Sequence, residues 1–347
     1  MLERSITWLD EGSVNGKARL INQTKLPWEY THVVVETHER MARSIKTMEI
    51  RGAPAIGAAA GMGMALAAIQ SKATNKAELI DFLEGAKKRL DATRPTAVNL
   101  TWATTRMLEK ARALELPVKD TIKALIDEAK SIADEDVEIN KAIGRHGSPL
   151  LDDGETVLTH CNAGAIATVG YGTALGVIRA AVASGKSIKV ISDETRPRLQ
   201  GARLTCWELM EDEIPVVQIT DNQAALLMKM GEVQKVIVGA DRIVSDAVFN
   251  KIGTYGVAIM ARYHEIPFYV AAPKSTLDLE KKMKDVEIEQ RDQWEVKTIF
   301  NKVKISPDGV EAYNYAFDPT PMDLVTAIIT EDGVFPPEDL VKHYKIK

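Results

Sequence analysis

The sequence predicts an α/β protein in two parts. A smaller, mainly helical N-terminal domain carries a few short strands, and a C-terminal domain is built on a parallel sheet. Three observations carry this. From residue 156 on, five short β-branched or aromatic runs, "TVLTH", "SIKVISD", "PVVQIT", "KVIVGAD" and "PFYVAAP", alternate with segments long enough for one helix each. Such alternation requires crossover connections, hence parallel strands covered on both faces. Ahead of them, long segments repeat apolar residues at helical spacing with charge between. Finally, "GRHGSPLLDDGE" (144–155) concentrates Gly, Pro and Asp and marks the boundary, giving domains 1–145 and 146–347. A chain of 347 residues is long for one core and comfortable for two.

Taken in order, "SITWL" and "ARLINQT" read as strands around the turn-forming "SVNGK", and "YTHVVVET" as a third. Helical spacing follows in "HERMARSIKTM", "KAELIDFLEGAKKRLDA", "TAVNLTWATTRMLEKARAL" and "KDTIKALIDEAKSIADEDVEINKAI". Residues 52–69, "GAPAIGAAAGMGMALAAI", carry no charge and reach the minimum length of a membrane span. Gly and Ala contribute little apolar surface, so the reading is a helix packed closely against its neighbours.

Composition excludes several classes. A 45% apolar, 27% charged chain is an ordinary globular protein. A net charge of −5 gives no drive toward nucleic acid or an anionic membrane. Two cysteines make no disulfide framework, no zinc spacing is present, and no cofactor motif stands out, so neither metal nor cofactor is expected. "MLERSITWLDEG" lacks an apolar signal core, and a cytoplasmic location is expected.

Ligands of parallel sheets sit beyond the carboxyl ends of the strands. Those ends carry Cys161, Asp193 with Glu194, Asp221, Asp241, and Ala272 with Pro273. Cys161 is either a small buried hydrophobe or a reactive group. A helix expected to start near Ala165 would turn backbone N–H groups toward the thiol, the setting that favours thiolate. His160 alternates to the opposite sheet face, so adjacency does not imply a Cys–His pair. Asp241 is either a cap or ion-pair partner, for instance of Arg242, or an acid–base group. "RGAP" and "TRPTAVNLTWA" each set an arginine, Arg51 and Arg94, before a helix start, an arrangement that holds phosphate. "DETRPRLQGARLT" crowds three arginines around Gln200, and "NKIGTYG" offers Asn250 and Lys251 before a turn. No Walker loop exists, and "GYGTALG" lacks the dinucleotide arrangement, which disfavours a dehydrogenase. Dispersed basic groups with Asn and Gln suit a sugar phosphate.

Together, "RGAPAIG", "TRPTAVNLTWA", "THCNAGAIATVGYGTALG", "ETRPRLQGARLTCWEL", "VGADRI", "NKIGTYG" and the closing "YAFDPTPMDLVTAIITEDGV" resemble the methylthioribose-1-phosphate isomerase family over nearly the whole chain. That family also includes isomerases of 5-deoxyribose 1-phosphate and ribose 1,5-bisphosphate. It is related to non-catalytic regulatory subunits of the exchange factor for translation initiation factor two. The resemblance implies a Rossmann-like C-terminal domain, a homodimer and a small-molecule sugar phosphate substrate. It implies a catalytic pair at Cys161 and Asp241, with substrate bound by Arg51, Gly52, Ala53, Arg94, Gln200, Asn250 and Lys251. One departure is notable. Many members carry Asn-Gly-Asp after the catalytic Asp, whereas here the link is the shorter, more apolar "RIVSDAVF". Beside the site, that loop would bear on the sugar's 5-substituent.

Overall fold

The computed structural model describes residues 2–12, 14–95 and 97–345. Ser13, in the turn expected between the first two strands, and Thr96, in the Arg94 motif, lie outside the described residues. The chain forms two compact units, Leu2–Asn140 with Ala165–Gly172, and Lys141–Gly164 with Thr173–Lys347.

In the first unit, β1 (Ile6–Asp10), β2 (Gly16–Ile21) and β3 (His32–Val35) form an antiparallel sheet in that order. Five helices follow among the described residues: α1 (His38–Lys46), α2 (Ala53–Gln70), α3 (Lys76–Asp91), α4 (Val98–Ala113) and α5 (Val118–Gly147). Thr37 and Asn75 cap α1 and α3, each side chain accepting a backbone N–H of the first turn. Among the described residues α2 is the one helix long and apolar enough to cross a membrane, and 78% of it is buried. Its glycines explain how. A Cβ at Gly61 would stand 3.1 Å from Ile132, and one at Gly63 would stand 3.2 Å from Leu90 and Met41, so neighbouring side chains fill the glycine grooves. It is the core helix of its unit.

Helix α5 runs through Gly144–His146, which composition reads as a turn, and ends at Gly147. Val177 packs where a Cβ at Gly147 would stand, 2.5 Å away. Pro149 then sits at the start of a 3-10 turn over Ser148–Leu150.

The second unit contains β4 (Thr156–Thr159), α6 (Ala174–Ala183), β5 (Lys189–Asp193), α7 (Cys206–Glu211), β6 (Val216–Ile219), α8 (Ala224–Lys229) and β7 (Lys235–Val238). It continues through β8 (Arg242–Val244), β9 (Ala247–Lys251), α9 (Thr254–Tyr263), β10 (Phe268–Ala271), β11 (Leu277–Asp278), α10 (Trp294–Lys297), β12 (Thr298–Ile299) and β13 (Val303–Lys304). β14 (Phe317–Pro321), β15 (Ala327–Thr330), β16 (Gly333–Phe335) and α11 (Pro337–Lys345) complete it. Each of the five runs read from the sequence holds one strand of a sheet ordered β16-β15-β10-β7-β4-β5-β6. All neighbours in it pair parallel except β15 with β16. Leu158, Val236, Val238, Val270 and Ile328 are buried in its core. A second sheet, β11-β8-β9-β14, and the β12–β13 hairpin complete the strands.

One expectation is corrected. No helix begins at Ala165; the chain turns there, and α6 begins only at Ala174. Ala165–Gly172 packs instead with the first unit, where Gln23 donates to Ile166 O at 2.6 Å and Val169 N donates to Asp136 at 2.7 Å. Ala163 O closes this excursion by accepting from Thr173 N and Leu175 N at 3.0 and 3.2 Å.

Candidate active site

Sheet order selects where a site forms. From β4 the chain steps one way to β5 and β6, then crosses back to β7 on the other side of β4. The crevice beyond the carboxyl ends of β4 and β7 is therefore the topological switch point, where such sheets bind ligands. Cys161 follows β4 and Asp241 follows β7, and the pairing Leu158↔Val236 sets Cys161 and Gly239 level with each other. Neighbouring strands lie about 4.8 Å apart, so the two loops start side by side. They touch: a Cβ at Gly239 would fall 2.6 Å from Ala163 Cβ.

Cys161 is buried and sits at φ +70°, a left-handed conformation uncommon outside glycine. Such backbone persists only where its surroundings over-determine it. Here Cys161 N donates to Thr195 Oγ1 at 2.8 Å, and Cys161 O accepts from Thr205 Oγ1 at 2.7 Å. Gln200 Nε2 stands 3.5 Å from the sulfur, while the buried Gln200 Oε1 has no hydrogen-bond partner among the described residues. A buried amide oxygen left open beside a thiol suits a ligand hydroxyl. Thr195 itself is at φ +64°, fixed by its N–H to Asp221 at 2.6 Å.

A buried ionic group braces the same turn. Glu208 accepts from Asn162 Nδ2 and from Arg179 Nη2, both at 2.9 Å, and Arg179 also pairs with Asp212 at 2.6 Å. The carboxylate lies against Gly164, where a Cβ would meet it at 2.2 Å. Glu208 and Gln200 flank a π-helical stretch, Gly201–Thr205, a form often found at functional sites.

His160 does not reach the thiol with a ring nitrogen. Its Nε2–H donates to Ile252 O and its Nδ1 faces Asp193 Oδ2, both at 2.9 Å. Burial alone would lower its basicity, but the hydrogen bond and charge of Asp193 outweigh that and push it up to about 9. Burial also pushes the Asp193 carboxyl up. His160, Asp193 and Asp221 could in principle hold a metal ion, yet both His160 nitrogens are already engaged.

Asn250 and Lys251 end β9, level with Asp318 and Phe317 of β14. Both are buried; Asn250 donates to Thr254 Oγ1 at 3.1 Å, and Lys251 Nζ donates to Ala316 O at 2.6 Å over the Phe317 ring. Asp318, raised by burial, accepts the N–H groups of Gly253 and Tyr255 at the start of α9. β8 and β9 form a hairpin whose turn is Ser245–Asp246, with Asp241 and Asn250 at its open end. The shortened link thus trims the tip of the hairpin, three residues or roughly 10 Å of strand from Asp241. Arg242 ion-pairs with Asp278 at 3.5 Å.

Two of the clustered arginines serve the fold. Arg196 donates to Val296 O at 2.8 Å, and Arg198 pairs with Glu295 at 2.5 Å, both securing α10.

The first unit carries Arg51, Gly52, Ala53 and Arg94. Helices α2 and α4 begin just after them, with Gly52 and Ala97 at the N-cap positions, and neither side chain accepts an N–H of the first turn. A Cβ at Gly57 would stand 3.1 Å from Asn99 O, so the two helix starts lie together. Two uncapped helix N-termini with an arginine ahead of each attract an anion. Gly52 is required there: φ is +95°, and a Cβ would overlap Ala167 O at 2.1 Å.

Thr195, Thr205 and Glu208 are site-building residues that sequence reasoning missed. Threonines and an acid inside "ETRPRLQGARLTCWEL" carry no spacing signal, because their role is set by a backbone conformation.

A thiol and a carboxylic acid beyond the strand ends of an α/β sheet are a setting for enzyme chemistry on a small molecule. The chain belongs to the Initiation factor 2 subunit family, which matches residues 49–337. Methylthioribose-1-phosphate isomerase 1 of Pseudothermotoga lettingae is 53% identical over 320 residues, 92% of each chain. The crystal structure of 5-methylthioribose 1-phosphate isomerase from Pyrococcus horikoshii superposes with a TM-score of 0.91 at 45% identity, covering 100% of this chain and 97% of that one. A structure described as translation initiation factor eIF-2B, subunit delta, from A. fulgidus gives 0.86 at 51% identity, covering 98% of each.

Proposed function

We propose that this chain is an isomerase converting 5-methylthioribose 1-phosphate to 5-methylthioribulose 1-phosphate, the aldose–ketose step of methionine salvage. The observation that carries it is identity above half, over more than nine-tenths of both chains, to relatives named for that activity. The second unit's strand order, with β5 and β6 on one side of β4 and β7, β10, β15 and β16 on the other, supports a Rossmann-like domain.

The phosphate on the anomeric oxygen locks the sugar ring as an acetal. Asp241 donates a proton to the ring oxygen, which leaves C1 as an oxocarbenium. Cys161 removes the C2 proton as thiolate, giving an enol phosphate, and return of a proton to C1 with loss of the O2 proton yields the ketose. A direct C2-to-C1 hydride shift uses the same two residues. Arg51, Arg94 and Lys251 bind phosphate, Gln200 and Asn250 bind hydroxyls, and Gly52 and Ala53 also bind substrate; the open Gln200 Oε1 supports its role.

We also propose a homodimer in the cytoplasm. Leu226 on α8 and Met230 just after it, both exposed, support an apolar contact with a second copy, and two free, buried cysteines suit a reducing compartment.

The regulatory-subunit reading rests on the name of the A. fulgidus structure. Turnover of the 5-methylthio, 5-deoxy and 5-phospho ribose 1-phosphates decides between them. The expected result is ketose formation, fastest with the 5-methylthio substrate; no ketose from any of the three would refute the proposal.

A further inference from the structure

We propose that His160 is a positioning residue for this reaction: its imidazole, engaged on both nitrogens, ties the Cys161 turn to the turn that follows Asn250 and Lys251, and stands as a fixed cation beside the thiol. The inference rests on the isomerase reading for its kinetic consequence but not for its geometry.

The argument starts from covalent adjacency. His160 precedes Cys161, so any force on the ring acts one residue from the strained φ of the thiol-bearing residue. On the other side, Nε2–H grips Ile252 O, the residue after Lys251. The grip leaves no slack. Gly253 is at φ +106°, and a Cβ there would fall 2.8 Å from His160 Cε1 and 3.0 Å from Nε2, so the Cε1–Nε2 edge of the ring abuts the main chain. Nδ1 is held by Asp193, which ends the neighbouring strand β5. One ring thus joins β4, β5 and the β9–α9 turn.

The charged and titratable groups that face it are Asp193, Asp221 and Cys161, with Asp318 and its neighbour Lys251 across the β9–α9 turn. The acidic ones outweigh burial, so the ring keeps both protons through neutral pH. A ring that donates from both nitrogens cannot act as the base that deprotonates Cys161. Its positive charge faces the sulfur through space instead.

Two near-isosteric variants separate the tether from the charge. A glutamine amide nitrogen stands where Nε2 was and keeps the bond to Ile252 O; an asparagine amide nitrogen stands where Nδ1 was and keeps the bond to Asp193. The experiment compares wild type, His160→Gln and His160→Asn. It measures KM and kcat on 5-methylthioribose 1-phosphate, and the iodoacetamide alkylation rate of Cys161 at pH 7.5 without substrate. The expected KM rises at least tenfold in His160→Asn and stays within threefold of wild type in His160→Gln. Alkylation slows at least fivefold in both, because both lose the cation. Equal KM values in all three enzymes, or undiminished alkylation in both variants, overturns the inference. Wild type without turnover would sink the isomerase reading, while alkylation still decides the charge role. If neither variant folds, wild-type imidazole N–H resonances decide: two downfield protons at pH 7 that disappear above pH about 9 support the inference, and a neutral ring at pH 7 overturns it.

Discussion

Gly239→Ala tests whether the loops bearing Cys161 and Asp241 are held at contact distance. Gly239 does not adopt a left-handed φ, so alanine fits its backbone and the effect is steric alone. The new Cβ would stand 2.6 Å from Ala163 Cβ, where ordinary contact begins at 3.4 Å. The loops must therefore part by about 0.8 Å, because a packed interior offers no free space to absorb the difference. Overpacking of this kind costs about 1–3 kcal/mol. A shift near 1 Å between two reacting groups costs on the order of 100-fold in rate. The expected variant melts a few degrees lower and loses kcat by about two orders of magnitude, since alignment rather than binding is disturbed. The structure also supplies the rescue. With Ala163 reduced to glycine, the next atoms around that Cβ are Thr173 Oγ1 at 3.6 Å and Ala163 Cα at 3.9 Å, both ordinary contacts. The Ala163→Gly/Gly239→Ala double variant should recover most of the lost kcat. Steady-state kinetics and thermal melts on all four enzymes give the coupling energy. A single variant with wild-type kcat, or a double variant no better than the single, would refute the reasoning.

Asp241→Asn should abolish turnover while keeping substrate binding within tenfold, or about 1.4 kcal/mol, measured by calorimetry; normal turnover would remove Asp241 from the mechanism. Cys161→Ser should slow the C2 step, and turnover in D2O should place solvent deuterium at product C1; its absence there would favour the hydride shift. Stability should depend on pH through His160. Its folded value of about 9 lies above the ordinary imidazole value of 6.5, so its contribution is complete below about 6.5 and is lost as pH rises through 9. The shift corresponds to at most about 3 kcal/mol. Burial also raises the Asp193 carboxyl, so its contribution too is lost as pH rises through its folded value, and the His160→Gln comparison isolates the part that needs the imidazole. Chemical denaturation from pH 7 to 10 should show the decline, flattened in His160→Gln.

The sheet was legible because its strands are short, continuous apolar runs, the pattern that burial on both faces demands. Their carboxyl ends, and with them Cys161 and Asp241, followed from that alone. The helix expected at Ala165 was not legible. "NAGAIATVGYG" has the small residues of a tight helix start, but Ala165–Gly172 packs with the other unit, a tertiary effect that no local propensity encodes. Likewise "GRHG" looks like a linker, yet Gly144–Gly147 stays helical because Val177 needs the space beside Gly147. Thr195 and Thr205 were invisible for a related reason: they hold the thiol's backbone, and nothing in a sequence marks a threonine that answers a left-handed cysteine.

Two structural facts bear on the sugar's 5-substituent. A 5-phosphate is a dianion that needs cations of its own, and "DETRPRLQGARLT" is the densest source of them in the second unit's sequence. Arg196 and Arg198, however, are turned onto Val296 O and Glu295, where they hold α10. Withdrawing them for a ligand would leave the buried part of Glu295 without its ion-pair partner, at a cost that a second phosphate would have to outweigh. Asp241 and Asn250 lie at the open end of the β8–β9 hairpin, away from its turn at Ser245–Asp246. Two of the three arginines of "DETRPRLQGARLT" are thus engaged on α10, which favours an uncharged 5-substituent. Methylthio and deoxy groups both satisfy that condition; the phosphate does not.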